Sequence, residues 1–190
     1  MPVELALIGT SQGGMRAMQQ ILAALPPDFA LPLVLVIHRD ADSELLVEIL
    51  QRSSPFPVTD ALDKQPLERG KLYVAPANYH LLIEAGHTAL STEAPVHFAR
   101  PSIDAAFETA ADAYGPRLLG ILLTGSNHDG AAGLLKIKQR GGTIIVQDPA
   151  TAEYREMPDA ALAVVKPDHI LKLDEIGPAL VRILKSFKLE

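Results

Sequence analysis

The sequence predicts an α/β fold: an open, mostly parallel, doubly wound sheet of Rossmann-like three-layer form, with a small antiparallel meander or hairpin beside it. Three observations predict it. The runs 5–8, 31–37 and 118–123 are almost wholly apolar, and 143–147 is apolar at its centre, as strands covered on both faces are. Stretches with apolar residues at helical spacing separate them. Strands alternating with helices build parallel sheets clothed in helices.

The first unit, residues 3–24, organises the rest. Its apolar run ends in Gly9-Thr10-Ser11-Gln12-Gly13-Gly14, after which Met15, Met18, Ile21, Leu22 and Leu25 fall on one helical face. This reads as strand, tight turn, helix. Ser11 stands at the centre of a G-x-S-x-G, which presents a serine hydroxyl on a sharp strand-to-helix bend. A Cβ at Gly9 or Gly13 would crowd the bend or an approaching substrate. The helix start aims free N–H groups and a positive dipole end at the same spot. Taken alone, the turn has three readings. Helix–strand packing comes first and phosphate binding second, since Gly9, Ser11 and Gly14 match G-x-G-x-x-G with serine in the middle place. A nucleophile comes third.

Pro26-Pro27 stop that helix, residues 31–37 form the second strand, and His38-Arg39-Asp40 follow it. Ser43 is placed to cap a short helix with Leu45, Leu46, Ile49 and Leu50 inward, closed by Pro55 and Pro57. Residues 58–61 are read as a third strand. From 67 to 91 the pattern becomes a meander, with strands at 71–75, 79–84 and 87–91, the last two joined across Ala85-Gly86. The expectation is an antiparallel flap beside the parallel sheet. Residues 92–100 are a loop, and Pro101-Ser102 open a helix with Ile103, Phe107, Ala110, Ala111 and Tyr114 on one face. Gly115-Pro116 end it.

The strand at 118–123 runs into Thr124-Gly125-Ser126-Asn127-His128-Asp129-Gly130, and a helix bearing Leu134, Leu135 and Ile137 ends at Gly141-Gly142. A buried strand at 143–147, a helix from Pro158 and a short strand at 169–173 come next. Ile176, Leu180, Ile183 and Leu184 lay a closing helix on the sheet.

Composition sets the bounds. At 190 residues the chain suits a single domain, 1–190, with a full core. Hydrophobic residues at 48% and charged residues at 21% are ordinary for a soluble globular protein. A net charge of -6 with scattered basic residues argues against nucleic acid as a partner. Cysteine is absent, which excludes a disulfide framework, a thiol nucleophile and a cysteine metal site. No signal-peptide pattern opens the chain, and no apolar run approaches the ~20 residues of a spanning helix. The expectation is a cytoplasmic domain without membrane insertion.

Ser11, His38 and Asp129 each follow the carboxyl end of an expected parallel strand, and in open α/β sheets those ends line one crevice. A hydroxyl, an imidazole and a carboxylate at one rim are the parts of a nucleophilic triad. Serine is a poor nucleophile until a base takes its proton, imidazole can accept and return one, and a carboxylate on the far ring nitrogen fixes the tautomer. Other readings stand beside this one. His38 can be a hydrogen-bonded loop residue, and Asp129 a turn residue or helix cap. Asp40 is a rival orienter and His128 a rival base, while His80, His87, His97 and His169 read as surface or loop residues. A metal site from His38, Asp40 and His128 lacks a helical i, i+4 pair, so no metal is expected.

These residues resemble the catalytic domain of the chemotaxis protein-glutamate methylesterase family. IGTSQGG is similar to its nucleophile motif, and IHRD stands where its second-strand histidine stands. LERGKLYVAPANYHL resembles its meander, and FARPSIDAAF its Arg-Pro-Ser-x-Asp loop. ILLTGSNHDGAAGL resembles the segment carrying its acid, and IIVQDPATAEYREMP the strand and loop that follow. The resemblance implies a serine hydrolase that removes methyl esters from glutamates on chemoreceptor helices, often with glutamine deamidation, and that uses no cofactor. It implies Ser11 as nucleophile, His38 as base and Asp129 as orienting acid.

Gln12 stands where the family usually has threonine or another small residue. Ser126 replaces a site-shaping methionine, and Asn127-His128 replace a glycine-asparagine pair. The backbone N–H groups of Gln12 and Gly13 are the expected oxyanion donors. Arg100 is a candidate contact for the substrate's acidic surface, or an ordinary surface arginine. No receiver domain precedes the catalytic segment, so control is expected from a separate regulatory partner. Two other classes of function remain at this point: a catalytically silent receptor-binding module of the same fold, and a dinucleotide-binding domain that would use Asp40.

Overall fold

The computed structural model describes residues 2–38 and 45–186. Ser43, expected as a helix cap, and Asp40, the rival orienter, lie outside the described residues. Seven strands form one sheet in the order β3-β4-β2-β1-β7-β8-β9, where β1 is Leu5–Thr10, β2 Leu33–Ile37, β3 Val58–Asp60, β4 Leu72–Val74, β7 Leu118–Leu122, β8 Thr143–Gln147 and β9 His169–Leu171. Every pairing in it is parallel. A separate antiparallel hairpin joins β5 (His80–Glu84) to β6 (His87–Ser91).

The all-apolar runs behave as strands buried on both faces should. Successive side chains of β1 point to opposite sides, so Ala6 and Ile8 enter one core while Leu5 and Leu7 enter the other. In β2, Leu33, Leu35 and Ile37 divide from Val34 and Val36 in the same way. The first core is covered by α1 (Gly14–Ala23), α2 (Leu46–Gln51) and α6 (Leu173–Ser186) through Met18, Ile21, Leu50, Ile176 and Leu180. The second is covered by α3 (Ile103–Tyr114), α4 (Ala131–Gln139), α5 (Glu156–Val164) and the hairpin, through Phe107, Leu134, Met157 and Leu81. This is the three-layer architecture expected. No described helix is long and apolar enough to cross a membrane.

One expected element sits elsewhere. Residues 72–74 do not belong to an antiparallel flap: β4 lies inside the main sheet, parallel to both β2 and β3. Its three side chains are fully buried, including Tyr73, whose hydroxyl donates to Pro66 O and accepts from Glu68 N–H. Its parallel partners, β2 on one side and β3 on the other, placed it. Only the following hairpin is antiparallel.

The chain leaves β1 for β2 on one side and returns to β7 on the other, so β1 marks the switch point, where open α/β sheets form their crevice. Short bonds clamp this edge. Ser11 N–H donates to Thr124 O at 3.0 Å, His38 N–H to Thr10 O at 3.3 Å and Leu123 N–H to Gly9 O at 2.9 Å. Gly13 takes a left-handed φ of 78° as the residue before α1, which a side chain would strain. Gly9 is required for packing: a Cβ there would stand 2.4 Å from Ile103 Cγ2 and 3.1 Å from Phe107 Cζ.

Gly9→Ala therefore overpacks the joint between β1 and the start of α3. The expected result is a loss of about 1–3 kcal/mol in urea unfolding, with the slope of the transition unchanged. An unaltered midpoint would show that Ile103 yields without cost.

Candidate active site

Three strand ends bring Ser11, His38 and Asp129 together. Ser11 Oγ lies 3.2 Å from His38 Nδ1, and His38 Nε2 lies 2.7 Å from Asp129 Oδ2. His38 keeps 17% of its side chain accessible and Asp129 only 2%, so the relay runs from an open cleft into the protein. The cleft, about 1100 Å³, is lined by Ser11, Gln12, Gly13, His38, Arg100 and Asn127 among others.

Asp129 is held by the start of α3. Its Oδ2 accepts Ile103 N–H at 2.7 Å, and its Oδ1 accepts Asp104 N–H at 2.9 Å and the Ser102 hydroxyl at 3.1 Å. The first N–H groups of a helix have no partner within it, and its positive end favours an anion. Ser102 serves the same end twice, because its Oγ also accepts Ala105 N–H as N-cap. The loop after β7 is fixed from behind, where Gln147 Oε1 accepts Thr124 N–H at 2.9 Å and Gln147 Nε2 donates to Thr151 O at 3.0 Å.

The other candidates fall in different places. Gln12 and Gly13 line the cleft beside Ser11, and the backbone N–H of neither has a hydrogen-bond partner among the described residues. Ser126 is exposed and is not among the residues lining the cleft. Arg100 lines the cleft, but its Nη1 donates to Thr92 O and Glu93 O, each at 3.0 Å, and so closes its own loop.

His80 is a correction. It is 2% exposed, not a surface residue: its Nε2–H donates to Ala94 O at 3.0 Å and its Nδ1 accepts Ser102 N–H at 3.2 Å. The 92–100 loop folds over the start of β5 and buries a position that strand alternation leaves open. His97 and His128 are exposed, with their rings edge to face at 5.2 Å. No three His, Cys, Asp or Glu side chains among the described residues are arranged to hold a metal ion.

Asn127 stands out in the sequence only as a departure in the acid loop, with no role attached to it. Its Nδ2 lies 3.1 Å from His38 Nδ1 and its Oδ1 accepts Asp129 N–H at 3.0 Å. The one available signal was its place two residues before the acid, where an Asx turn forms readily.

Comparison with known proteins agrees with the fold. The family model described as CheB methylesterase matches residues 6–180. A protein-glutamate methylesterase/protein-glutamine glutaminase of Anaeromyxobacter dehalogenans is 41% identical over 179 residues, covering 94% of this chain and 52% of that one. A Leptospira interrogans protein named for the same two activities is 44% identical over 185 residues, covering 96% of each chain. The crystal structure of the Thermotoga maritima CheB methylesterase catalytic domain matches with a TM-score of 0.90 at 29% identity, over 96% of this chain and 100% of that chain. This chain thus spans nearly the whole Leptospira protein and about half of the Anaeromyxobacter one.

Two carboxylates share the seam between α3 and α4, and their environments push them apart. Burial raises the pKa of Asp129, but the His38 hydrogen bond and the N–H groups of Asp104 and Ile103 outweigh it and hold the carboxyl below its usual range. Asp104 is pushed up to about 6 by burial and by the charge of Asp129, against the lowering effect of Gly133 N–H and Gly130 N–H. Its Oδ1 accepts Gly133 N–H at 2.7 Å.

The two groups leave opposite marks on stability. The depressed carboxyl of Asp129 supports the fold above the unfolded value, and that support is lost as pH falls through its folded value. Asp104, raised in the fold, contributes stability that is complete below its unfolded pKa and lost as pH rises through about 6. The stability of Asp104→Asn minus that of the parent chain should therefore grow from pH 4 to pH 7, by roughly 2–3 kcal/mol. Chemical denaturation at several pH values measures it. A constant difference would mean that Asp104 is ionised throughout.

Proposed function

The chain belongs to the CheB methylesterase family, and from that premise we propose that it hydrolyses glutamate methyl esters on chemoreceptor helices, with Ser11, His38 and Asp129 as its catalytic residues. The reading rests above all on the continuous path from Ser11 Oγ to His38 Nδ1 at 3.2 Å and from His38 Nε2 to Asp129 Oδ2 at 2.7 Å. Family membership displaces the dinucleotide-binding alternative.

Each step follows from the atoms at hand. Ionised Asp129 can only accept, so Nε2 carries the ring proton and Nδ1 offers its lone pair to the serine hydroxyl. As Ser11 Oγ attacks the ester carbonyl carbon, its proton passes to Nδ1 and Asp129 stabilises the imidazolium. The carbonyl oxygen becomes an oxyanion beside the open N–H groups of Gln12 and Gly13, at the positive end of α1. Losing one such donor costs about 3–4 kcal/mol in the barrier.

The tetrahedral intermediate then breaks its bond to methoxide, which takes the proton from Nδ1 and leaves as methanol. Water attacks the glutamyl ester on Ser11, giving its proton to the same nitrogen, and the carboxylate departs as Ser11 Oγ is reprotonated. With a glutamine side chain the same sequence expels ammonia. This is consistent with the pair of activities in the names of the Leptospira and Anaeromyxobacter relatives. The cleft is open and its rim carries Met15, Leu45 and Phe98 as exposed apolar side chains, which suits a substrate that is the surface of another protein.

Ser11→Ala should abolish methanol release from a methylated receptor fragment, by about a thousand-fold or more, with unfolding unchanged. Undiminished turnover would rule the serine mechanism out. A fluorophosphonate probe should label the parent chain at Ser11, whereas a silent binding module would stay unlabelled. Turnover should also fall as acid occupies Nδ1, and a flat profile between about pH 5 and 8 would exclude His38 as the base.

A further inference from the structure

The serine is not alone at the nitrogen it needs. Asn127 Nδ2 lies 3.1 Å from His38 Nδ1, no farther than the 3.2 Å of Ser11 Oγ. The amide cannot turn over without loss, because its Oδ1 accepts Asp129 N–H at 3.0 Å and so leaves Nδ2 for the ring. Nδ1 has one in-plane lone pair, and two donors share it.

We propose that Asn127 is a positioning residue, whose amide holds the His38 ring in its Nε2–H tautomer, opposes protonation at Nδ1 and competes with Ser11 for that atom until substrate arrives. The inference rests on reading His38 as the base for Ser11. A donor aimed at a bare ring nitrogen favours the neutral ring. Once Nδ1 gains a proton, N–H would face N–H, and the amide must swing away. Asn127 therefore fixes the aim of the base while sharing its lone pair with Ser11.

Among the described residues, several other charged and titratable groups stand near the ring or line the cleft in front of it. Asp129 faces Nε2 from the loop after β7, and Asp104 of α3 stands behind it. Arg16 and Glu153 line the cleft, as do Arg100 and His97 from the 92–100 loop. His128 adjoins Asn127 and packs against His97. Among the described residues, only Ser11 and Asn127 hydrogen-bond to Nδ1.

Two substitutions separate aiming from folding. Asn127→Gly removes both of the amide's bonds. Asn127→Ser keeps a short acceptor that can take Asp129 N–H in an ST turn, but cannot reach the ring. The pH dependence of fluorophosphonate labelling at Ser11 is measured for both, together with the ¹⁵N NMR titration of the His38 ring nitrogens. In both variants the acid limb of labelling and the ring titration should move to higher pH by about 0.5–1 unit, the size of one lost neutral hydrogen bond. Asn127→Asp, with a carboxylate facing Nδ1, should move them further and slow labelling at pH 7 about ten-fold or more.

If folded Gly and Ser variants both leave the ring titration unmoved, or shift it to lower pH, the proposal is overturned. An unlabelled Ser11 in the parent chain would instead sink the hydrolase reading. The ring titration needs no turnover, so it would still decide the part played by Asn127.

Discussion

Asp129 receives the first turn of α3 and the ring of His38 on one carboxylate. Four donors converge there: His38 Nε2–H, Ile103 N–H, Asp104 N–H and the Ser102 hydroxyl. A carboxylate at 2% exposure would be costly without such partners. With them it is ionised, immobile and unable to donate, which is what the His38 tautomer requires. The fold and the chemistry therefore meet at one group. A shift in the start of α3 displaces the acid, the acid turns the ring, and the ring loses its aim at Ser11.

The same seam is tied from the other side. Asp104, in the first turn of α3, accepts Gly133 N–H from the first turn of α4, so each helix start is met by an acid from across the junction. Two buried anions so close cannot both ionise freely. The one facing the ring keeps its charge, because the imidazole and two backbone amides favour it. The other is pushed up to about 6. The fold thus gives the two acids different charges by surroundings alone. His80 extends the support, linking Ala94 O to Ser102 N–H and so fastening the loop over the cleft to the helix that holds Asp129.

Much of this was legible in the residues. The buried strands announced themselves because a run such as Leu33–Ile37 has no polar face to expose, and Ser11, His38 and Asp129 stood out by following such runs. Leu72–Val74 was legible as a strand but not as a parallel one, since a short apolar run ahead of a hairpin carries no mark of its parallel partners. His80 was misplaced for a related reason: strand alternation describes one face and its opposite, not a loop folded across it. Ser102 was legible as a helix opener, but its bond to Asp129 depends on two segments 27 positions apart. Asn127 was illegible as a partner of His38, because asparagine in a turn is ordinary and its reach spans 89 positions of sequence.

Strand order also explains which ring nitrogen meets which partner. In the sequence β2-β1-β7, Ser11 follows the neighbour of the strand that carries His38, whereas Asp129 follows a strand one place further away. Nδ1 is the ring nitrogen nearer the main chain and Nε2 the more distant. A histidine just past β2 therefore meets the adjacent strand's serine with Nδ1 and the farther acid with Nε2, and the 3.2 Å and 2.7 Å contacts have this arrangement. Exchanging the two nitrogens would require the ring to turn its far edge back onto β1 and leave Asp129 facing carbon. The order of strands thereby decides which partner each ring nitrogen meets.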